Sequence, residues 1–162
     1  LLTLTGCAQP PAYTEVHAEQ ALPARSAGEK VLLHVSTPQG PREFTLRQLE
    51  ALRAVEYRTV QPQLGKAALY RGVLLSDLAR ETGLSRQDLR FEALNDYGAT
   101  IAWRDYEKYP VLLAYHADGQ PISIESKGPL TVVFPTHAYP QRFEAQKYGA
   151  QWVWYVYKVR VP

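Results

Sequence analysis

Ala93-Leu94-Asn95-Asp96-Tyr97-Gly98-Ala99-Thr100-Ile101 is the stretch whose reading decides the fold. Asn, Asp and Gly cluster at its centre, and such residues tolerate the backbone of a tight turn. Leu89 to Leu94 runs into this turn and Ala99 to Trp103 runs out of it, both with strand character. Together they predict a β-hairpin. The same pattern recurs downstream. Val111 to His116 and Gln120 to Ile124 flank Asp118-Gly119, a second hairpin signal. Leu130 to Phe134, bracketed by Pro129 and Pro135, reads as a buried strand. Trp152 to Val161 reads as a long terminal strand. Alternation puts Val153, Tyr155, Tyr157, Val159 and Val161 on one face. Trp152, Trp154, Val156, Lys158 and Arg160 fall on the other.

Upstream, helices are present but short. Val31 to Ser36 is an apolar β-forming run. Thr37 to Pro41 is a turn cluster, and Arg42-Glu43-Phe44 returns as a strand. Thr45 with Gln48 three residues on has the form of a capping box, followed by Leu46, Leu49 and Leu52 at helical spacing. Val55 to Val60 alternates as a strand. Leu74 to Thr82 reads as a second helix stopped by Gly83. Arg104 to Tyr109 is a helical or irregular link. Strands outnumber helices, which predicts a β-rich α+β domain over 31–162.

The 162 residues fit one such domain with a short extension. Hydrophobic residues at 46% and charged residues at 21% are ordinary for a globular chain. A net charge of +2, with no Lys/Arg-rich run, points away from nucleic acid as a partner. The histidines at 17, 34, 116 and 137 are isolated, so no zinc-ligand spacing appears. Neither a nucleophile elbow nor a phosphate-cradling glycine loop occurs. Fourteen of the 18 aromatic residues lie at or after Phe91, which weights any stacking surface toward the C-terminal half.

The single cysteine is Cys7. One cysteine excludes an internal disulfide framework and any multi-cysteine metal site. Leu4-Thr5-Gly6-Cys7 resembles a bacterial lipobox at the end of an apolar signal stretch. The resemblance implies lipidation at Cys7, with 1–7 as signal remnant and the protein anchored to a membrane facing the periplasm. Ala8 after the cysteine favours the outer membrane. Residues 8–30 carry Pro10, Pro11 and Pro23 among Ala, Glu and Gln, and read as a flexible tether.

Five segments in order resemble one known family. They are Tyr70 to Leu78 (Tyr-Arg-Gly-Val-Leu-Leu-Ser-Asp-Leu), Ala93 to Ile101, Leu113 to Gly119, Lys127 to Pro135, and Trp154 to Val161. This is the oxidoreductase molybdopterin-binding domain of sulfite-oxidase fold, and the short stand-alone secreted group resembles this chain best. The resemblance implies layered mixed sheets with short helices and a β-grasp-like part. It also implies a pterin as ligand and a membrane-bound sensor, such as a cyclic di-GMP enzyme, as partner. Enzymes of the fold ligate molybdenum through a protein cysteine. Here nothing after Cys7 carries sulfur, because methionine is absent too. The expectation is therefore a non-catalytic pterin binder that requires no metal. Glu125 and Gln151 stand where the short group tends to carry arginine, which disfavours a phosphorylated pterin. A pterin site needs edge hydrogen bonds, a stacking face and a polar end. Asn95 and Asp96 are expected at the edge. Tyr97, Tyr139 or Trp154 is expected as the face, and Lys127 or Arg142 at the polar end.

Overall fold

The computed structural model describes residues 11–162. Cys7 and its lipobox lie outside the described residues.

Backbone pairing builds two sheets. The first runs β1 (Thr14–His17), β4 (Ala54–Gln61), β5 (Lys66–Leu74), β8 (Leu112–Ala117) and β10 (Thr131–Val133), with the short β9 (Gln120–Pro121) also on β8. Every pair in it is antiparallel. The second runs β3 (Gly40–Thr45), β2 (Val31–Thr37), β11 (Val156–Arg160), β6 (Leu89–Ala93) and β7 (Gly98–Ile101). There β11 lies parallel to β2, between two antiparallel hairpins, which gives the grasp-like part of the fold. The helices are α1 (Leu46–Ala51), α2 (Leu75–Thr82), α3 (Trp103–Lys108) and α4 (Ala145–Tyr148). None among the described residues is long and apolar enough to cross a membrane.

The β-rich α+β expectation holds. Strand alternation does the sorting: in β6, Leu89, Phe91 and Ala93 are buried while Arg90 and Glu92 face outward. In β8, Leu112 to Tyr115 are all buried, because both faces of this central strand are covered. Thr45 and Gln48 close the expected capping box. The Gln48 N–H donates to Thr45 Oγ1 at 3.3 Å, and the Thr45 N–H donates to Gln48 Oε1 at 3.0 Å. Gly83 ends α2 at φ 74.

Four readings change. The tether over 8–30 is corrected from Thr14 onward. β1 pairs with the edge of β4, the Gln20 N–H donates to Ala51 O at 2.8 Å, and Gln48 Nε2 donates to Pro23 O at 3.0 Å. Backbone hydrogen bonds hold this segment, so no apolar periodicity announces it. β5 was not anticipated: its apolar and polar residues do not alternate cleanly before Tyr70. The second strand of the Asp118-Gly119 hairpin is only two residues long. The terminal strand begins at Val156, not Trp152, and the predicted faces are corrected accordingly. Tyr155 sits at φ 55, which interrupts the alternation, and a register shift follows between Val156 and Lys158.

Gly72 lies where β5 crosses β8 closely: a Cβ there would stand 2.0 Å from the Leu113 carbonyl oxygen. Gly72→Ala must push the two strands apart and is expected to cost about 2–4 kcal/mol, read as a lower urea midpoint. Burial pushes the Tyr106 and Tyr115 hydroxyls up to about 12. Both protons stay on the folded chain after an unfolded tyrosine, near pH 10, has begun to lose its own. Their contribution is complete below about pH 10 and is lost as the pH rises through about 12. Urea melts at pH 9 and pH 11 are expected to show the lower midpoint at pH 11.

Candidate ligand-binding site

Three stretches meet at one end of the two sheets. The β6–β7 turn supplies Asn95 and Tyr97. The β4–β5 turn supplies Gln63. The segment leading from α4 to β11 supplies Gly149, Ala150, Trp152 and Trp154. They enclose a cavity of about 280 Å³.

The β6–β7 turn is built as its residue types dictate. Asp96 takes φ 66, and the Tyr97 N–H donates to Asn95 Oδ1 at 3.3 Å, an Asx turn. This geometry leaves Asp96 exposed and outside the cavity lining, while Asn95 and Tyr97 form part of its wall. The Tyr97 hydroxyl donates to Ala150 O at 2.5 Å, tying the turn to the opposite wall. Gln63 is fixed from two sides. Gln61 Nε2 donates to its Oε1 at 2.5 Å, and its own Nε2 donates to the Gly149 carbonyl. The Leu64 N–H in turn holds Gln61 Oε1 at 2.7 Å.

The two tryptophans carry the chemistry. Trp152 is 3% exposed. Its indole Nε1 and that of Trp154 are buried and have no acceptor among the described residues. A buried N–H without a partner costs roughly 1–3 kcal/mol, and both nitrogens are closed off from the cavity. Lys127 stands beside this wall, its Nζ 4.9 Å from the Trp154 ring centroid and 5.9 Å from that of Tyr155. Among the described residues, no sulfur atom and no carboxylate lines the cavity. Among the described residues, no three His, Cys, Asp or Glu side chains gather as a metal site.

The remaining predicted residues lie elsewhere. Arg142 donates to Asp105 and to the Tyr148 hydroxyl, and that hydroxyl donates to Asp105 Oδ2 at 3.1 Å. The rings of Phe143, Tyr148 and Tyr109 surround its guanidinium at 5.1, 5.2 and 5.5 Å. The Tyr148 hydroxyl, with Asp105 beside it, raises the Arg142 guanidinium further above its ordinary value. Tyr139 packs edge-on against Tyr109 at 4.9 Å and lines a different cavity of about 270 Å³. The loop carrying both residues is thus fastened to α3. The structure brings Asn95, Tyr97 and Trp154 together in the cavity lining, sets Lys127 outside the lining against the Trp154 ring, and separates Asp96, Tyr139 and Arg142 from them. Sequence reasoning missed Gln63, Trp152 and the 149–150 backbone as lining residues, since nothing local marks a glutamine in a turn. It had placed Trp152 and Trp154 on one face, and that pairing was the available signal.

The sequence matches the family described as "Oxidoreductase molybdopterin binding domain" over residues 21–161. The chain belongs to this family. A search of curated proteins finds no match. Among solved structures, the fold is similar to the sulfane dehydrogenase SoxCD from Paracoccus pantotrophus, with a TM-score of 0.63 and 19% identity. That similarity covers 86% of this chain and 40% of the SoxCD chain, so the domain spans less than half of that protein's length. At this identity it speaks for the sulfite-oxidase-like fold alone.

Asp105 is buried at the centre of the Arg142–Tyr148 cluster. Asp105→Ala removes the acceptor for both partners and is expected to destabilise the fold by about 1–3 kcal/mol in urea denaturation.

Proposed function

We propose that this chain binds a pterin-type heterocycle in the Trp152–Trp154 cavity and does so without molybdenum. The observation that carries the reading is a small cavity walled by Trp152, Trp154 and Tyr97, with Asn95 and Gln63 also in its lining. A flat bicycle stacks on such walls. Asn95 and Gln63 supply amide groups for its edge. A volume of about 280 Å³ suits a small bicycle better than a phosphorylated pyranopterin.

The competing reading is a molybdopterin-dependent oxidoreductase, which the family suggests. The donor set opposes it. Molybdenum in this fold takes a soft thiolate, and the residues around the cavity offer amides, indoles, a phenol and an ammonium. The chain's only cysteine is Cys7. Its lipobox setting supports a lipid-anchored periplasmic protein, held at the outer membrane. In this reading ligand binding shifts the surface around the cavity, and a membrane partner reads the shift. The resemblance to the short stand-alone group favours a cyclic di-GMP enzyme as that partner. The cavity at this end favours a ligand over a ligand-free docking module.

The test is mass spectrometry of small molecules released from protein purified out of the periplasm, with metal analysis of the same sample. A pterin without molybdenum is expected. Molybdenum near one atom per chain overturns the reading in favour of the oxidoreductase. An empty protein that binds no reduced pterin by calorimetry overturns it in favour of docking. Trp154→Ala removes an aromatic wall, and is expected to weaken pterin binding by about 10-fold or more. Arg142→Met, outside the cavity, is expected to change it by less than about 3-fold.

A further inference from the structure

Alternation gives the second sheet an outer face of its own. Leu33 and Val35 of β2, Phe91 of β6 and Val159 of β11 are buried on the inner side. His34, Arg90, Glu92, Lys158 and Arg160 turn the other way, and their side chains stay 23–46% exposed. Register sets Glu43, His34, Lys158 and Glu92 in one row across β3, β2, β11 and β6. It sets Arg160 beside Arg90 in the next row.

Cations outnumber acids on this face. Glu92 is met by Arg160 at 2.7 Å, by Arg90 at 3.8 Å and by Lys158 at 4.0 Å. The Arg160 hydrogen bond, with the charges of Arg160, Lys158 and Arg90, holds the Glu92 carboxyl below its usual range against the opposing effect of burial. One carboxylate balances one of these three cations, which leaves an excess of positive charge for an outside group. Glu43 is taken by Arg25 at 3.0 Å and lies 3.4 Å from His34 Nδ1. Asp88, just before β6, accepts the Trp103 N–H at 2.9 Å.

The charged rows end at an apolar groove. Leu32, Leu94, Pro129 and Tyr157 line a recess of about 130 Å³, with Lys30 and His34 in its lining and no acid among the described residues. Leu94 is 58% exposed, yet its N–H is tied to Tyr155 O at 2.9 Å, so a fixed backbone holds this apolar side chain in water. The recess is small for a free ligand and suits one bulky apolar side chain.

We propose that this face docks an acidic segment of a protein partner, with one apolar side chain in the Leu94 groove and carboxylates against Lys158, Arg160 and Arg90. Charge complementarity selects that occupant. A second copy in a two-fold dimer sets the same cations against one another. A uniformly anionic lipid surface meets Glu43 and Glu92 along with the cations, whereas a protein places its charges one by one. The surface goes beyond the pterin reading and does not depend on it, since the groove and the Trp152–Trp154 cavity share no lining residue.

The experiment is an NMR titration of the full chain with a synthetic nonapeptide of Glu and Asp around a central Leu. A Kd of about 100 µM is expected at low ionic strength, weakening about 10-fold in about 0.5 M salt. The shifted amides are expected to group on β2, β6, β11 and Leu94. A peptide with Ser in place of its Leu is expected to bind about 5-fold more weakly, and Leu94→Ser to produce the same loss with the original peptide. Lys158→Gln is expected to weaken binding about 3-fold. The peptide pair on the unaltered chain keeps the test intact if a variant fails to fold. Absence of shifts at about 1 mM peptide, or shifts confined to other faces, overturns the proposal. Tighter binding of phosphatidylglycerol vesicles through the same amides overturns it in favour of a lipid surface. Self-association of the free chain through them overturns it in favour of a second copy. Each of these outcomes leaves pterin binding, read by calorimetry, standing.

Discussion

The chain must cross from the first sheet to the second at Tyr155, and the cavity follows from how that crossing is held. The Tyr155 N–H donates to Lys127 O at 3.1 Å, and its carbonyl accepts from the Leu94 N–H at 2.9 Å. On either side, the Val132 N–H donates to Val153 O and the Val156 N–H to Leu130 O, each at 2.9 Å. Four backbone bonds thus join β10, the β6–β7 turn and the start of β11. Left-handed backbone at a bulky residue is costly, and this set of bonds makes it the only geometry available to the chain. The crossing brings Trp152 and Trp154 to the cavity and anchors the Lys127 turn beside them.

The same constraint explains why the end strand does not follow simple alternation. Trp152, Val153, Val156 and Val159 are buried, a pattern with neither period two nor period 3.6. Before Val156 the segment belongs to the wall of a cavity; after it, to a sheet. Polar side chains complete the wall because backbone carbonyls at the 149–150 turn need donors. Gln63 and Tyr97 supply them from two distant stretches. Both residues thereby serve the fold and the site together.

Family membership and the lining point in different directions, and the physical difference lies in a single atom type. The cavity of about 280 Å³ is lined, among the described residues, by nitrogen, oxygen and carbon atoms and by no sulfur. The Arg142–Asp105–Tyr148 cluster lies outside that lining. It is rich in charge and aromatic rings, yet its groups satisfy one another and fasten the 136–148 loop to α3.

Elements governed by local physics were legible in the sequence. The capping box at Thr45, the Gly83 stop and the Asn95–Gly98 turn depend on residues within four positions of one another, and each forms as read. So did the family, because ordered segments such as Lys127 to Pro135 carry it. Asn95, Tyr97, Lys127 and Trp154 could be named from those segments. That Asn95, Tyr97 and Trp154 line one cavity, while Lys127, Asp96, Tyr139 and Arg142 do not, was decided only by tertiary structure. The Thr14 strand, β5, Gln63 and the break at Tyr155 were decided there too. Each depends on a partner distant in the chain, through backbone bonds that leave no mark in side-chain periodicity. The sequence by itself determined which turns, caps and strands could form and that no sulfur follows Cys7. The folded chain alone decided which of these residues face one cavity, because a cavity is a property of separate segments meeting.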